Sequence, residues 1–169
     1  MNKLMIDKRR QTACFTGHRE IRGSVEALEE RVYQIVEGLI QEGYCYFGAG
    51  GARGFDALAA RTVLKVKEQH PQVHLILVLP FYNQYEKEKG WTAYEIAEYQ
   101  ELKQKASKVV HLQEQYSSGC YYRRNRHLVD FSSVCIAYQY KETGGTAYTT
   151  NYARSQKVKI IDCFEESGF

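Results

Sequence analysis

The sequence predicts a single α/β domain, a three-layer sandwich with a mostly parallel sheet, over residues 1–169. Three observations carry this. Short β-type runs alternate with helical patterns, without a linker or repeat, which is the order of βαβ units. The strongest run, Val73 to Leu79, is continuously apolar apart from His74, as in a central strand buried on both faces. The chain has 169 residues, 44% of them hydrophobic, which matches one domain with a full core. Crossovers in such a sheet are right-handed, and ligands bind beyond the carboxyl ends of its strands.

The first strand is expected from Gln11 to Thr16, ending at Gly17. Ser24 caps the helix behind it. There Val25, Leu28, Val32, Ile35, Val36 and Leu39 recur at spacings of three and four, one apolar face. Gly43 suits the position just past the helix end. Tyr44 to Phe47 is the second strand, followed by the run Gly48-Ala49-Gly50-Gly51-Ala52-Arg53-Gly54. A helix from about Phe55 to Gln69 comes next. His70-Pro71 ends it, because the residue before proline is pushed out of the helical region.

Val73 to Leu79 is the third strand, closed by Pro80. The polar segment Tyr82 to Thr92 reads as a lid or a long loop. Thr92-Ala93-Tyr94-Glu95 has capping-box spacing and opens the next helix. Lys108 to Leu112 is a fourth strand, Tyr122 to Asp130 a short helix, and Val134 to Tyr138 a fifth strand. Thr146 to Ser155 is another helix and Val158 to Cys163 the last strand.

Composition excludes several classes. The longest aliphatic run, Leu75 to Leu79, is far too short for a bilayer. Met1 to Arg10 is polar and basic, without the apolar stretch of a secretory signal. The net charge is +3, less than a dedicated nucleic-acid binder carries. Four of the five cysteines, Cys14, Cys45, Cys135 and Cys163, fall in expected strands, and none forms a C-x-x-C pair. Buried free thiols fit a reducing compartment, so a cytoplasmic location is expected. His70, His74, His111 and His127 are scattered and give no metal-ligand pattern. Neither a metal nor a cofactor is expected.

Four segments at strand ends are chemically loaded. The first is Thr16-Gly17-His18-Arg19. His18 is either an acid–base group or a packed loop histidine. The second is the glycine-rich run, whose Gly50, Gly51 and Gly54 let backbone approach a ligand before a helix start. It is neither a dinucleotide fingerprint, since Arg53 stands where a glycine is required, nor a P-loop. Asp56 in the following first turn contacts a ligand or merely complements the helix dipole. The third is Arg123-Arg124-Asn125-Arg126, spread around a helix so that one or two face a ligand. The fourth is Gly144-Gly145-Thr146 at a helix start, an anion site or a simple cap.

Together these motifs resemble the SLOG superfamily, in its YspA/YpsA-like branch of unknown function. The residues that carry this are Cys14 to Arg19, Gly51 to Asp56, Leu79-Pro80-Phe81, Arg124-Asn125 and Gly144-Gly145-Thr146, in that order. The resemblance implies a Rossmann-like fold and a nucleotide or nucleotide-derived ligand, with many relatives self-associating. Within the superfamily, the lonely-guy phosphoribohydrolases cleave nucleoside monophosphates. Arg124 and the Gly144–Thr146 segment resemble theirs, but the glutamates of their glycine segment have no counterpart in Ala147 to Asn151. The DNA-processing protein A family has a similar R-R-N-R stretch and binds single-stranded DNA.

The function expected is therefore binding of a nucleotide-like small molecule, as a sensor or binding module. Gly50, Gly51, Gly144, Gly145 and Thr146 are expected at phosphate, and Arg53 and Arg124 at phosphate or ribose oxygens. An N-glycosidase, with Asp56 or His18 as its only acid–base candidates, is the first alternative. Single-stranded DNA binding is the second.

Overall fold

The computed structural model describes residues 2–166. Its elements follow the expected alternation. Strand β1 spans Thr12–Gly17, β2 Tyr46–Ala49, β3 His74–Leu79, β4 Lys108–His111, β5 Val134–Tyr138 and β6 Lys159–Asp162. The helices are α1 (Lys3–Arg10), α2 (Val25–Gln41), α3 (Phe55–Gln69), α4 (Ala93–Lys105), α5 (Cys120–Asp130) and α6 (Gly145–Ser155).

Local chemistry explains most boundaries. The Ser24 side chain accepts from the Ala27 N–H and starts α2. Gly43 ends that helix, with its N–H on the Ile40 carbonyl and the Tyr44 N–H on the Leu39 carbonyl, a pair that satisfies orphaned helix carbonyls. Tyr44 is thereby still tied to the helix, so β2 begins at Tyr46, two residues later than the sequence indicates. Thr92 and Glu95 form the expected capping box of α4. The sequence pattern did not reveal α1. That helix is polar and capped by Asn2, whose side chain accepts from the Met5 N–H, so it carries no apolar periodicity to read.

The six strands form one all-parallel sheet in the order β4-β3-β2-β1-β5-β6. From β1 the chain steps outward through β2, β3 and β4, and then returns to β5 on the other side of β1. Right-handed crossovers therefore place α2, α3 and α4 on one face and α5 and α6 on the other. The order reverses between β1 and β5, which makes the carboxyl end of β1 the switch point where ligands bind in open sheets.

The main core lies under α2–α4. Phe15, Phe47, Phe55, Leu58, Leu75, Leu79 and Ile136 are essentially fully buried there. Each such side chain stabilises the fold by about 1.5–3 kcal/mol relative to exposure. The opposite face holds a smaller cluster around Val78, Leu128, Val129, Cys135 and Val158. Two of the expected strand cysteines, Cys14 and Cys135, sit in register on β1 and β5. Cys45 precedes β2, and Cys163, although buried, follows β6. Among the described residues no helix is long and apolar enough to cross a membrane.

Candidate functional site

A polar cleft of about 510 Å³ opens at the carboxyl edge of the sheet. Thr16 and Gly17 from the end of β1, His18 and Arg19 beyond it, and Asp56 of α3 line one side. Arg124 and Asn125 of α5, and Gly145 and Thr146 of α6, line the other. Thus all four segments singled out in the sequence send residues to one cleft. Its volume lies in the ~300–1,000 Å³ range of small-molecule sites.

The floor is charged and buried. Arg124 is 5% exposed and Asp56 7%. The Arg124 Nη1 donates to the Gly50 carbonyl, and its Nε donates to Asn125 Oδ1 at 2.7 Å. Asp56 Oδ2 accepts from the Ala52 N–H at 3.2 Å. Burial raises the Asp56 carboxyl above the usual range, against the pull of Arg124 and the Ala52 N–H. Burial lowers the Arg124 pKa, and Asp56 and then Glu88 oppose this.

The two glycine segments differ. A Cβ on Gly50 would lie 2.8 Å from Arg124 Nη1 and 2.9 Å from Asp56 Oδ2. One on Gly51 would overlap Leu79, and one on Gly54 would overlap the carbonyl of Arg19. These glycines accommodate protein, and none of the three lines the cleft. Gly17 likewise makes room for the Phe55 ring. At Gly144 and Gly145 a Cβ would meet nothing within 4 Å. Gly144 caps α6 at φ 96°, and no side chain supplies a cap hydrogen bond. Thr146 is therefore not the cap. Gly145 and Thr146 present the first turn of α6, with its dipole and free N–H groups, to the cleft.

Other expected residues are displaced. Arg53 points away from the cleft, donating to the Gly90 carbonyl at 2.9 Å with its guanidinium 5.9 Å from the Trp91 ring. It lines a separate cavity of about 190 Å³ between α3 and α4. Of the arginines on α5, Arg123 bonds Gln113 and Ser117, and Arg126 donates to the Tyr148 hydroxyl. Among them only Arg124 lines the cleft. The His18 Nε2 accepts from the Tyr140 N–H at 3.1 Å, and its ring packs 4.1 Å from that of Tyr140. Accepting this bond requires an unprotonated Nε2. Burial, then Lys141 and Arg22, lower the His18 pKa.

Two features escaped the sequence reading. Glu88 accepts from Arg19 Nη2 at 3.1 Å and from Gln84 Nε2 at 3.3 Å. It pins the segment after β3 to the exit of β1, so Tyr82–Thr92 is a tied strap containing a short 3-10 turn, Gln84–Glu86. In sequence Glu88 is one charge in a charged run, with no motif to mark it. The second feature is a set of aromatic walls. Tyr121, Tyr122 and Tyr140 line the cleft, and Tyr122 packs 4.5 Å from Tyr148. The chain has 14 tyrosines, and their spacing in sequence does not place these together.

A doubly wound parallel sheet with a polar cleft at its switch point defines a Rossmann-like domain of the SLOG type. The chain belongs to the YspA SLOG family, whose model matches residues 14–163. It is 26% identical over 140 residues to YoqJ, an uncharacterized SPbeta prophage-derived protein of Bacillus subtilis, covering 75% of this chain and 80% of YoqJ. It is 27% identical over 143 residues to the UPF0398 protein BH1768 of Halalkalibacterium halodurans, covering 83% of this chain and 72% of the relative. Among solved structures it is similar to DNA processing protein A of Helicobacter pylori, described for its single-stranded DNA binding mode. The TM-score is 0.62 at 16% identity, covering 94% of this chain and 67% of the other. At that identity the likeness is one of fold.

Proposed function

We propose that the protein binds a nucleotide or nucleotide-derived small molecule in the cleft at the carboxyl edge of its sheet. One observation carries this reading: Gly145, which neither packing nor a positive φ demands, at a helix start facing the same cleft as Arg124 and Asp56. The N–H groups of that first turn hold a phosphate, and Arg124 adds charge from below. Tyr121, Tyr122 and Tyr140 offer ring faces for the base. Calorimetric titration with a panel of nucleoside monophosphates tests the reading. Gly145→Val should abolish binding while leaving the melting temperature nearly unchanged. Retained binding, or equal loss of binding and stability, overturns it. A single-stranded oligonucleotide in the same titration tests the DNA reading that the Helicobacter protein raises.

A second reading rests on Asp56. A carboxyl with a raised pKa at the floor of such a cleft suits proton donation to a leaving base, as in N-glycosidase chemistry. Release of free base from nucleoside monophosphates by the native chain, lost in Asp56→Asn, is the expected result. Binding without release leaves the protein a binding module.

A further inference from the structure

A second surface lies on the opposite side of the sheet from α2–α4. Five helical crossovers serve six strands, three helices on one face and two on the other. On the α5–α6 face, α6 lies over β1, β5 and β6, and α5 lies over β1 and β3 with Leu128 against Gly48 of β2, so the open part of the sheet is its β3–β4 side beside α5. A groove of about 460 Å³ occupies this place, with α1 closing the end near the start of β1. Arg9 Nε donates to the Asp130 carbonyl at 3.2 Å and fixes α1 against the end of α5.

The floor of the groove is apolar: half-buried Ile76 of β3 and Val110 of β4, with buried Val78 beneath and Leu128 of α5 standing over Gly48 of β2 as the inner wall. Phe131, 45% exposed, and Met5, 40% exposed, stand at its walls. A helix packed beside α5, over β3 and β4, would lie about 10 Å from it. That is the diameter of one α-helix with its side chains. The rim is basic. Lys8, Arg9 and Lys108 border the groove, and among the described residues lining it none is acidic.

We propose that this face docks an amphipathic α-helix of another protein, with an apolar stripe flanked by Asp and Glu. The stripe covers the half-buried Ile76 and Val110, in the way helices fill hydrophobic grooves. The acidic flanks meet Lys8, Arg9 and Lys108, which gives complementary charge across the interface. A second copy of the chain packed face to face would set basic rim against basic rim. A nucleic acid would use the rim but leave the apolar floor without a partner.

The experiment uses two synthetic helical peptides as probes, with the same leucine stripe at i, i+3, i+4 and i+7. One is flanked by glutamates and the other by lysines, each fluorescein-labelled for polarisation against the full chain. The glutamate peptide should bind at least tenfold tighter, and methyl shifts in an NMR titration should cluster on Ile76, Val78 and Val110. The double variant Lys8→Glu, Lys108→Glu exchanges exposed residues, so its melting temperature should match the native value. It should reverse the preference between the peptides. Val110→Asp should weaken both at least tenfold. Equal affinity for the two peptides, or no saturable binding, overturns the proposal. So does an oligonucleotide that displaces the glutamate peptide, or a dimer in sedimentation that Phe131→Glu dissociates. Nucleotide binding at the cleft is read separately and is expected to be unchanged in the charge-reversed variant.

Discussion

Two glycine-rich segments of this chain look alike in sequence and serve opposite ends. Gly50–Gly54 and Gly144–Gly145 each follow a strand and precede a helix, and each is a candidate phosphate loop by composition. In the folded chain the first is filled by protein. Arg124, Asp56, Leu79 and the Arg19 carbonyl occupy the space that side chains would need. The second is open, and its helix start faces the cleft. Gly50, Gly51 and Gly54 are thus required by the close approach of the molecule's own atoms, whereas beside Gly144 and Gly145 the space is free. Only tertiary neighbours distinguish them.

The largest effect that sharpens this contrast is expected at Gly54. It stands at φ 74°, and an added Cβ would overlap the Arg19 carbonyl, a backbone atom with no freedom to move aside. Strain and overpacking together should cost Gly54→Ala about 3 kcal/mol or more. That corresponds to a fall in melting temperature of roughly 6–12 °C for a chain of this size. Thermal denaturation checks it. A loss under about 1 kcal/mol would mean that the first segment is as permissive as the second, and the contrast would fail.

Arg124 joins the two segments, and its replacement should show both kinds of loss. Its guanidinium holds the Gly50 carbonyl and lies in the cleft that Gly145 and Thr146 border. Arg124→Ala leaves that carbonyl without its donor and the buried Asp56 without its nearby cation. A cost of about 2 kcal/mol in stability is expected, the range for a charged hydrogen bond. Nucleotide affinity should fall by a similar amount, roughly thirtyfold. Arg124→Lys should recover part of each, because a point charge cannot reproduce paired contacts. Arg126→Ala should leave affinity nearly unchanged, since Arg126 is engaged with Tyr148. Calorimetry on the three variants separates a specific contact from a diffuse basic face.

A smaller effect belongs to Gly144. Its φ of 96° is as unfavourable for other residues as that of Gly54, yet no atom lies within 4 Å of the added Cβ. Gly144→Ala should therefore cost only the backbone strain, about 1–2 kcal/mol. The difference between the two Gly→Ala variants isolates the clash from the strain. If Gly144→Ala is as damaging as Gly54→Ala in a melt, positive φ alone governs both sites.

The alternation of strands and helices was legible because each apolar run and helical period reports a local fact. The parallel layout and the convergence of four segments at the carboxyl edge then follow from handedness and topology. Glu88 and Arg53 were not legible for the same physical reason. Each takes its place through a partner far along the chain: Glu88 through Arg19, and Arg53 through Gly90. The capping box at Thr92 was readable because its partner is three residues away. The buried pairing of Arg124 with the Gly50 carbonyl, 74 residues distant in sequence, was not. Reading arginine as a ligand contact was sound chemistry, but the number of its donors already taken by the protein depends on the fold.

The smallest expected effect lies between the two segments, at His18. Its carbonyl accepts from the Phe55 N–H, at the helix start behind Gly54. Its ring Nε2 accepts from the Tyr140 N–H, on the approach to Gly144. One residue therefore holds the first segment by backbone and the second by a titratable atom. Burial and the nearby Lys141 and Arg22 place the folded-state pKa of His18 below its ordinary value of 6.5. For a histidine lowered on folding, the unfolded chain takes up the proton first as pH falls. The neutral ring thus contributes stability that is complete above pH 6.5 and is lost as pH drops toward the folded-state pKa. His111 and His127 are shifted in the same direction, so the native chain alone does not isolate His18. The difference between the native chain and His18→Gln does. The native chain should lose more stability than the variant between pH 7.5 and 5. Amide exchange should quicken at Tyr140 while Phe55, held by a carbonyl that does not titrate, stays protected. The same acid sensitivity in both chains, or equal loss of protection at both amides, would show that the ring does not secure the second segment.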